Sequence, residues 1–162
     1  PLWSRGLGDV YKRQLVKQYA LGQTARQADW LVGAGLFTEK VSARGLRSMA
    51  EPGSAYDDPL LGKDPQPGHM RDYADTPRDN GGVHINSGIP NRAFFLAATT
   101  LDGPAWKGAG QVWYDTLCDK RLRHDADFKA FAALTLTVAA ERHGAAVQKA
   151  IGQAWAAVGV LS

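Results

Sequence analysis

The chain has 162 residues, 44% of them hydrophobic and five of them tryptophan, which suffices for one domain of ordinary size and is too short for two. Its single cysteine, Cys118, excludes an internal disulfide and a thiolate metal cluster. A formal charge of +3, from 19 basic and 16 acidic residues, is too small to imply a nucleic-acid or membrane partner.

Residues 1–14 show no apolar period, and Asp9-Val10-Tyr11-Lys12-Arg13-Gln14 resembles the translated end of a transposon used to prepare sequencing libraries. They are set apart as an artefact, and the domain is read as residues 15–162. Without Arg5, Lys12, Arg13 and Asp9 the balance is 16 basic against 15 acidic residues, which leaves +1. Leu15 to Leu21 reads as the tail of a helix that Gly22 can end. Nothing before Leu15 starts that helix, so the expectation is a protein truncated upstream. Gln23 to Gly45 reads as loop with a brief extended piece at Trp30 to Val32, and Leu46 to Met49 as another short element. Glu51 to Pro77 holds five of the eight prolines and reads as an ordered loop wrapped on the surface.

The rest is helical by its period. One helix is expected from Ser87 to Leu101, ended by Asp102-Gly103-Pro104. A second, from Ala105 to Arg121, carries Trp106, Ala109, Val112, Trp113 and Leu117 on a core-facing stripe. A third, capped by Asp125 or Asp127, turns Phe128, Phe131, Leu134 and Val138 inward and stops at His143-Gly144. The last, Ala145 to Ala157, buries Val147, Ile151 and Trp155. Cys118 falls inside the second helix and reads as a small buried hydrophobe rather than a nucleophile. Lys120-Arg121 with Arg123 and His124 reads as a solvated helix end. The fold class is mainly α, four to five helices preceded by a long irregular region.

Chemistry gathers in Asp79-Asn80-Gly81-Gly82-Val83-His84-Ile85-Asn86-Ser87-Gly88-Ile89-Pro90-Asn91-Arg92-Ala93-Phe94-Phe95. The paired glycines permit a tight turn before His84, and Pro90 suits a first helical turn. Asp79, five residues back, can fold onto the imidazole; a carboxylate on one ring nitrogen fixes the tautomer and leaves the other for a ligand. From the residues alone a structural histidine fits as well. No two of His69, His84, His124 and His143 have the spacing of a His-Glu-x-x-His zinc helix, and His69 has no partner at metal spacing.

That stretch resembles the signature of the C-terminal domain of thermolysin-like zinc metalloproteases, the protealysin-type branch above all. Ala28-Asp29-Trp30-Leu31-Val32-Gly33, Leu46-Arg47-Ser48-Met49, Ala55-Tyr56-Asp57-Asp58-Pro59, Gly62-Lys63-Asp64-Pro65-Gln66-Pro67 and Ala154-Trp155-Ala156-Ala157-Val158-Gly159-Val160 follow in the family's order. The resemblance implies a zinc metalloendopeptidase, with the zinc ligands and the glutamate base upstream of this chain and no metal ligand within it. By the same resemblance His84 stabilises the oxyanion, Asp79 orients it, and Arg47 binds the substrate carbonyl on the leaving-amine side. Val32, Leu36 and Leu46 match the apolar pocket for the residue after the scissile bond, although ordinary packing would also account for them.

Leu31, Ala34 and Arg44 stand where the calcium-binding branch has acids, so no double-calcium site is expected. The implied partners are protein or peptide substrates and the missing N-terminal domain. The implied compartment is extracellular, with cytoplasmic storage as the alternative, and the chain alone is expected to be inactive. Competing readings are a helical binding module or pseudoenzyme without zinc and, more remotely, a Cys118 hydrolase.

Overall fold

A computed structural model describes residues 3–162, with side chains from Val10 onward. The order is α1 (Trp3–Leu21), β1 (Leu31–Val32), β2 (Arg47–Ser48), β3 (Asp57–Asp58), β4 (Gly62–Lys63), α2 (Asp79–Asn86), α3 (Gly88–Leu101), α4 (Ala109–Leu117), α5 (Phe128–Arg142) and α6 (Ala145–Ala157). The fold is mainly α, and its irregular region precedes the main group of helices. β1 pairs antiparallel with β2, Leu31 opposite Ser48 and Val32 opposite Arg47, and β3 with β4 forms a separate hairpin.

Rings at helical spacing decide which helices meet. Trp113 of α4 stacks on Trp155 of α6 with centroids 5.6 Å apart, and Phe94 of α3 meets Trp113 edge-on at 5.3 Å. Phe131 of α5 closes the group against Trp155 at 6.1 Å. All four rings are fully buried, each removing on the order of 150–250 Å² from water. α6 therefore packs on α3 and α5, and α4 on the same two helices. The indole of Trp155 donates to Thr135 Oγ1 at 2.8 Å, so its polar atom is satisfied inside the core.

α6 has the bounds its period predicts. Asp127, not Asp125, caps α5 by accepting from the Ala130 amide at 2.7 Å, while Asp125 pairs with Arg123. α4 is shorter than expected, because Pro104 to Gly108 forms a turn in which Lys107 and Gly108 both donate to the Pro104 carbonyl. At its far end α4 stops at Leu117, which corrects the reading of Cys118. The thiol stands at the C-cap, past the inward stripe, and is exposed; Thr116 takes the buried position. Lys120, Arg121, Arg123 and His124 are exposed, as a solvated block would be, but they follow α4 rather than end it. Arg121 reaches Asp119 and Glu141 at 2.8 Å each and ties the end of α4 to α5.

α1 packs against α2, α3 and β1. It begins at Trp3, within the segment set apart from sequence, and Tyr11 from that segment is buried against Phe94 at 5.4 Å. Gln14 and Gln18, one turn apart on the same face, are buried, and the Gln18 amide has no hydrogen-bond partner among the described residues.

Candidate functional site

The turn before His84 is left-handed. Asp79, Asn80, Gly81 and Gly82 have φ of 56°, 50°, 79° and 72°, four in succession in a region that costs an ordinary L-residue roughly 1–2 kcal/mol. Glycine enters it freely, and aspartate and asparagine are the side chains that tolerate it best. The sequence Asp-Asn-Gly-Gly is thus what such a turn demands. A right-handed turn comes directly after it and carries His84 to Asn86, so the expected loop is instead a short helical span with a reversal of hand inside it.

The reversal folds the Asp79 carboxylate back over the turn that bears His84. Its Oδ1 lies 2.6 Å from His84 Nδ1, and its Oδ2 accepts from the amides of His84 at 2.8 Å and Ile85 at 3.1 Å. Desolvation pushes the Asp79 carboxyl up, but the His84 ring, the two amides and the ring's charge outweigh it and hold the group below its ordinary value of 3.8. The His84 side chain is 58% exposed, so a nitrogen away from Asp79 remains for a ligand. His84 and Asp79, paired from the sequence, are therefore in direct contact.

The carbonyl side of His84 is held by the long loop. Gln66 Nε2 donates to the His84 carbonyl at 2.7 Å and to Ser87 Oγ at 3.1 Å, and Ser87 Oγ donates to the same carbonyl at 2.7 Å. Asn86 grips Ala74 with both amide atoms, at 2.9 Å each. Gly88 starts α3 because the loop lies on top of it: a Cβ there would stand 2.5 Å from the Pro67 carbonyl oxygen. Gln66, Asn86 and Ser87 escaped the sequence reading; Gln66 is 18 residues from its partner, and no spacing signals such a pair.

Val32, Leu46 and Arg47 line one pocket of about 220 Å³ together with Val10 and Arg13 of α1. The pairing of β1 with β2 brings them there by setting Val32 opposite Arg47. Leu36 does not line that pocket; it leans with Leu46 over the bare Cα of Gly33 and is 67% exposed. Arg47 donates to the Leu46 carbonyl at 2.6 Å and pairs with no carboxylate among the described residues. His69 accepts from the Arg71 amide and packs its ring on Gly159.

Among the described residues no group of three or more His, Cys, Asp or Glu could hold a metal ion, so the residues present do not fit a zinc centre. No described helix is long and apolar enough to cross a membrane.

Residues 6–160 match the family described as thermolysin metallopeptidase, alpha-helical domain. The extracellular metalloprotease of Pectobacterium carotovorum is 56% identical over 157 residues, covering 97% of this chain and 45% of that protein. Thermolysin of Alicyclobacillus acidocaldarius is 31% identical over 166 aligned positions, covering 97% of this chain and 28% of its own length. The solved structure of the protealysin precursor, a metalloproteinase from Serratia proteamaculans, superposes with a TM-score of 0.89 at 60% identity, over 91% of this chain and 46% of that one. The chain spans less than half the length of these relatives.

Proposed function

Because the chain belongs to the thermolysin metallopeptidase family as its α-helical domain, we propose that it forms one wall of the cleft of a zinc metalloendopeptidase that cleaves internal peptide bonds. The observation that carries the reading is the 2.6 Å contact between His84 Nδ1 and Asp79 on an exposed ring. With the Nδ1 proton committed to Asp79, Nε2 bears a proton only when the ring is an imidazolium. That N–H donates to the carbonyl oxygen of the scissile bond as the oxygen gains negative charge, and Asp79 holds the ring to this task. Arg47 donates to the substrate carbonyl on the leaving-amine side, where its fork of N–H groups suits an oxygen acceptor. Val32 and Leu46 receive a bulky hydrophobic side chain just after the cleaved bond, and Leu36, outside that pocket, flanks Leu46 over Gly33.

The zinc ligands and the activation of the attacking water are assigned to the part of the relatives that this chain does not match, so the chain alone is inactive. No double-calcium site is assigned to it. Secretion is the compartment proposed, supported by relatives named extracellular.

The test replaces the matching part of the Pectobacterium protease with this chain and follows internally quenched peptides. Cleavage before Leu or Phe is expected, with His84→Ala lowering kcat about a hundred- to a thousandfold at unchanged Tm, and Arg47→Ala acting mainly on KM. A folded chimera that cleaves nothing while the parent remains active would leave the binding-module reading in its place.

A further inference from the structure

We propose that Gln66 is a positioning residue for His84, acting through the His84 backbone carbonyl; this rests on the protease reading of the same site. The geometry is that of a built clamp. Asp79 holds His84 from the amide side and at Nδ1, and neither bond fixes the tilt of the next peptide. The four left-handed residues before His84 offer no apolar anchor, and the ring is largely in solvent. On the carbonyl side the His84 oxygen belongs to the last turn of α2, where the continuing helix gives it no partner. Gln66 and Ser87 supply two donors to that oxygen, and Gln66 also bonds Ser87, so the three groups form a closed triangle.

Gln66 is itself held. Only 4% of it is exposed, and its backbone amide donates to Asp64 Oδ1 at 3.2 Å. Asp64, equally buried, also accepts from the amides of Gly53 and Ala55 through Oδ2. Pro65 and Pro67 fix φ on either side, and the Pro67 carbonyl rests against Gly88. A side chain locked in this way carries the position of the long loop to the peptide that bears the imidazole. A donor aimed at developing charge loses effect steeply when misplaced, so loosening this clamp acts on turnover rather than on substrate affinity.

The experiment uses the Pectobacterium chimera, with Gln66→Met, which keeps the shape and removes the donor, and Gln66→Glu, which restores a donor only when protonated. For Gln66→Met, kcat is expected to fall about ten- to a hundredfold with KM within about twofold and Tm close to the parent chimera. For Gln66→Glu, the ratio of its kcat to that of the parent is expected to rise as pH falls through the titration of the buried carboxyl, when the acid donates again to the His84 carbonyl. Unchanged kcat in both variants, or a loss that follows Tm and shows no recovery in acid, overturns the proposal. If the parent chimera is folded but cleaves nothing, the protease reading fails and Gln66 is decided by the His84 ring itself. Nitrogen-15 shifts that report loss of the Asp79 bond in Gln66→Met support the clamp, and unchanged shifts refute it.

Discussion

Between Ala93 and Val158 the chain buries rings, small aliphatic side chains and two threonines; between Ser48 and Ser87 it buries carboxylates, amides and hydroxyls as well. In the first region Phe94, Trp113, Phe131, Ile151 and Trp155 make the interior, and the buried threonines Thr116 and Thr135 bond carbonyls of their own helices. In the second, Asp58, Asp64, Gln66, Asn86 and Ser87 are buried, and each bonds backbone groups of other loop or turn residues. Apolar packing is non-directional and sets where helices lie, whereas hydrogen bonds set where a particular peptide points. The helical region is a scaffold in this sense, and the polar region aims His84.

The largest loss of stability is expected in the scaffold. Trp113 touches Phe94, Phe131 and Trp155, so Trp113→Ala opens a cavity at the centre of three helices. A loss of about 3–5 kcal/mol is expected, read as the urea midpoint of the whole domain. On the polar side Asp64→Ala strands three amides that lose their shared acceptor. The expected cost is about 1–3 kcal/mol, and hydrogen exchange should speed up in residues 51–77 while α5 and α6 stay protected. Uniform acceleration across both regions would mean that loop and scaffold are a single cooperative unit.

A smaller change tests whether α1 belongs with the scaffold. Gln18 sits on the core face of α1 with both amide atoms buried and no partner among the described residues. Gln18→Met keeps the length of the side chain and removes both polar atoms, so a gain of about 1 kcal/mol is expected, measured as a rise in Tm. A drop would mean that an ordered water satisfies the amide, and that the interface between α1 and the scaffold is wet.

The two regions were also unequally legible. Helical period and aromatic spacing give α6 to the residue and place Ile151 and Trp155 correctly, because burial of one face leaves a local trace every three or four positions. The ends of α4 were missed because a proline turn and a C-cap are decided by a few hydrogen bonds that leave no period. Cys118 was misjudged for the same reason. In the site, Asp79 and His84 are five residues apart and their contact could be read from the turn chemistry of Asn80-Gly81-Gly82. Val32 and Arg47 depend on strand register, and Gln66 on the path of an irregular loop, so neither placement could be derived from spacing.

The smallest effect expected is confined to acid and isolates the clamp on His84 from everything else. Asp79 is held below its ordinary value of 3.8 in the folded chain despite desolvation, by the His84 ring and the amides of Ile85 and His84. A carboxyl whose pKa is depressed by folding stabilises the fold wherever it is ionised, so its contribution is complete above the unfolded value. It is lost as pH falls from about 4 through the lower folded value. The stability difference between wild type and Asp79→Asn should accordingly be present while the carboxyl is ionised and shrink below about pH 4. His84→Gln removes the ring's bond and charge but leaves the backbone amides, so the Asp79 carboxyl, followed by carbon-13 shifts, should titrate at higher pH than in wild type. A carboxyl that does not move on losing the imidazole would mean that the two amides alone hold Asp79, and that the 2.6 Å contact to Nδ1 is not a working hydrogen bond.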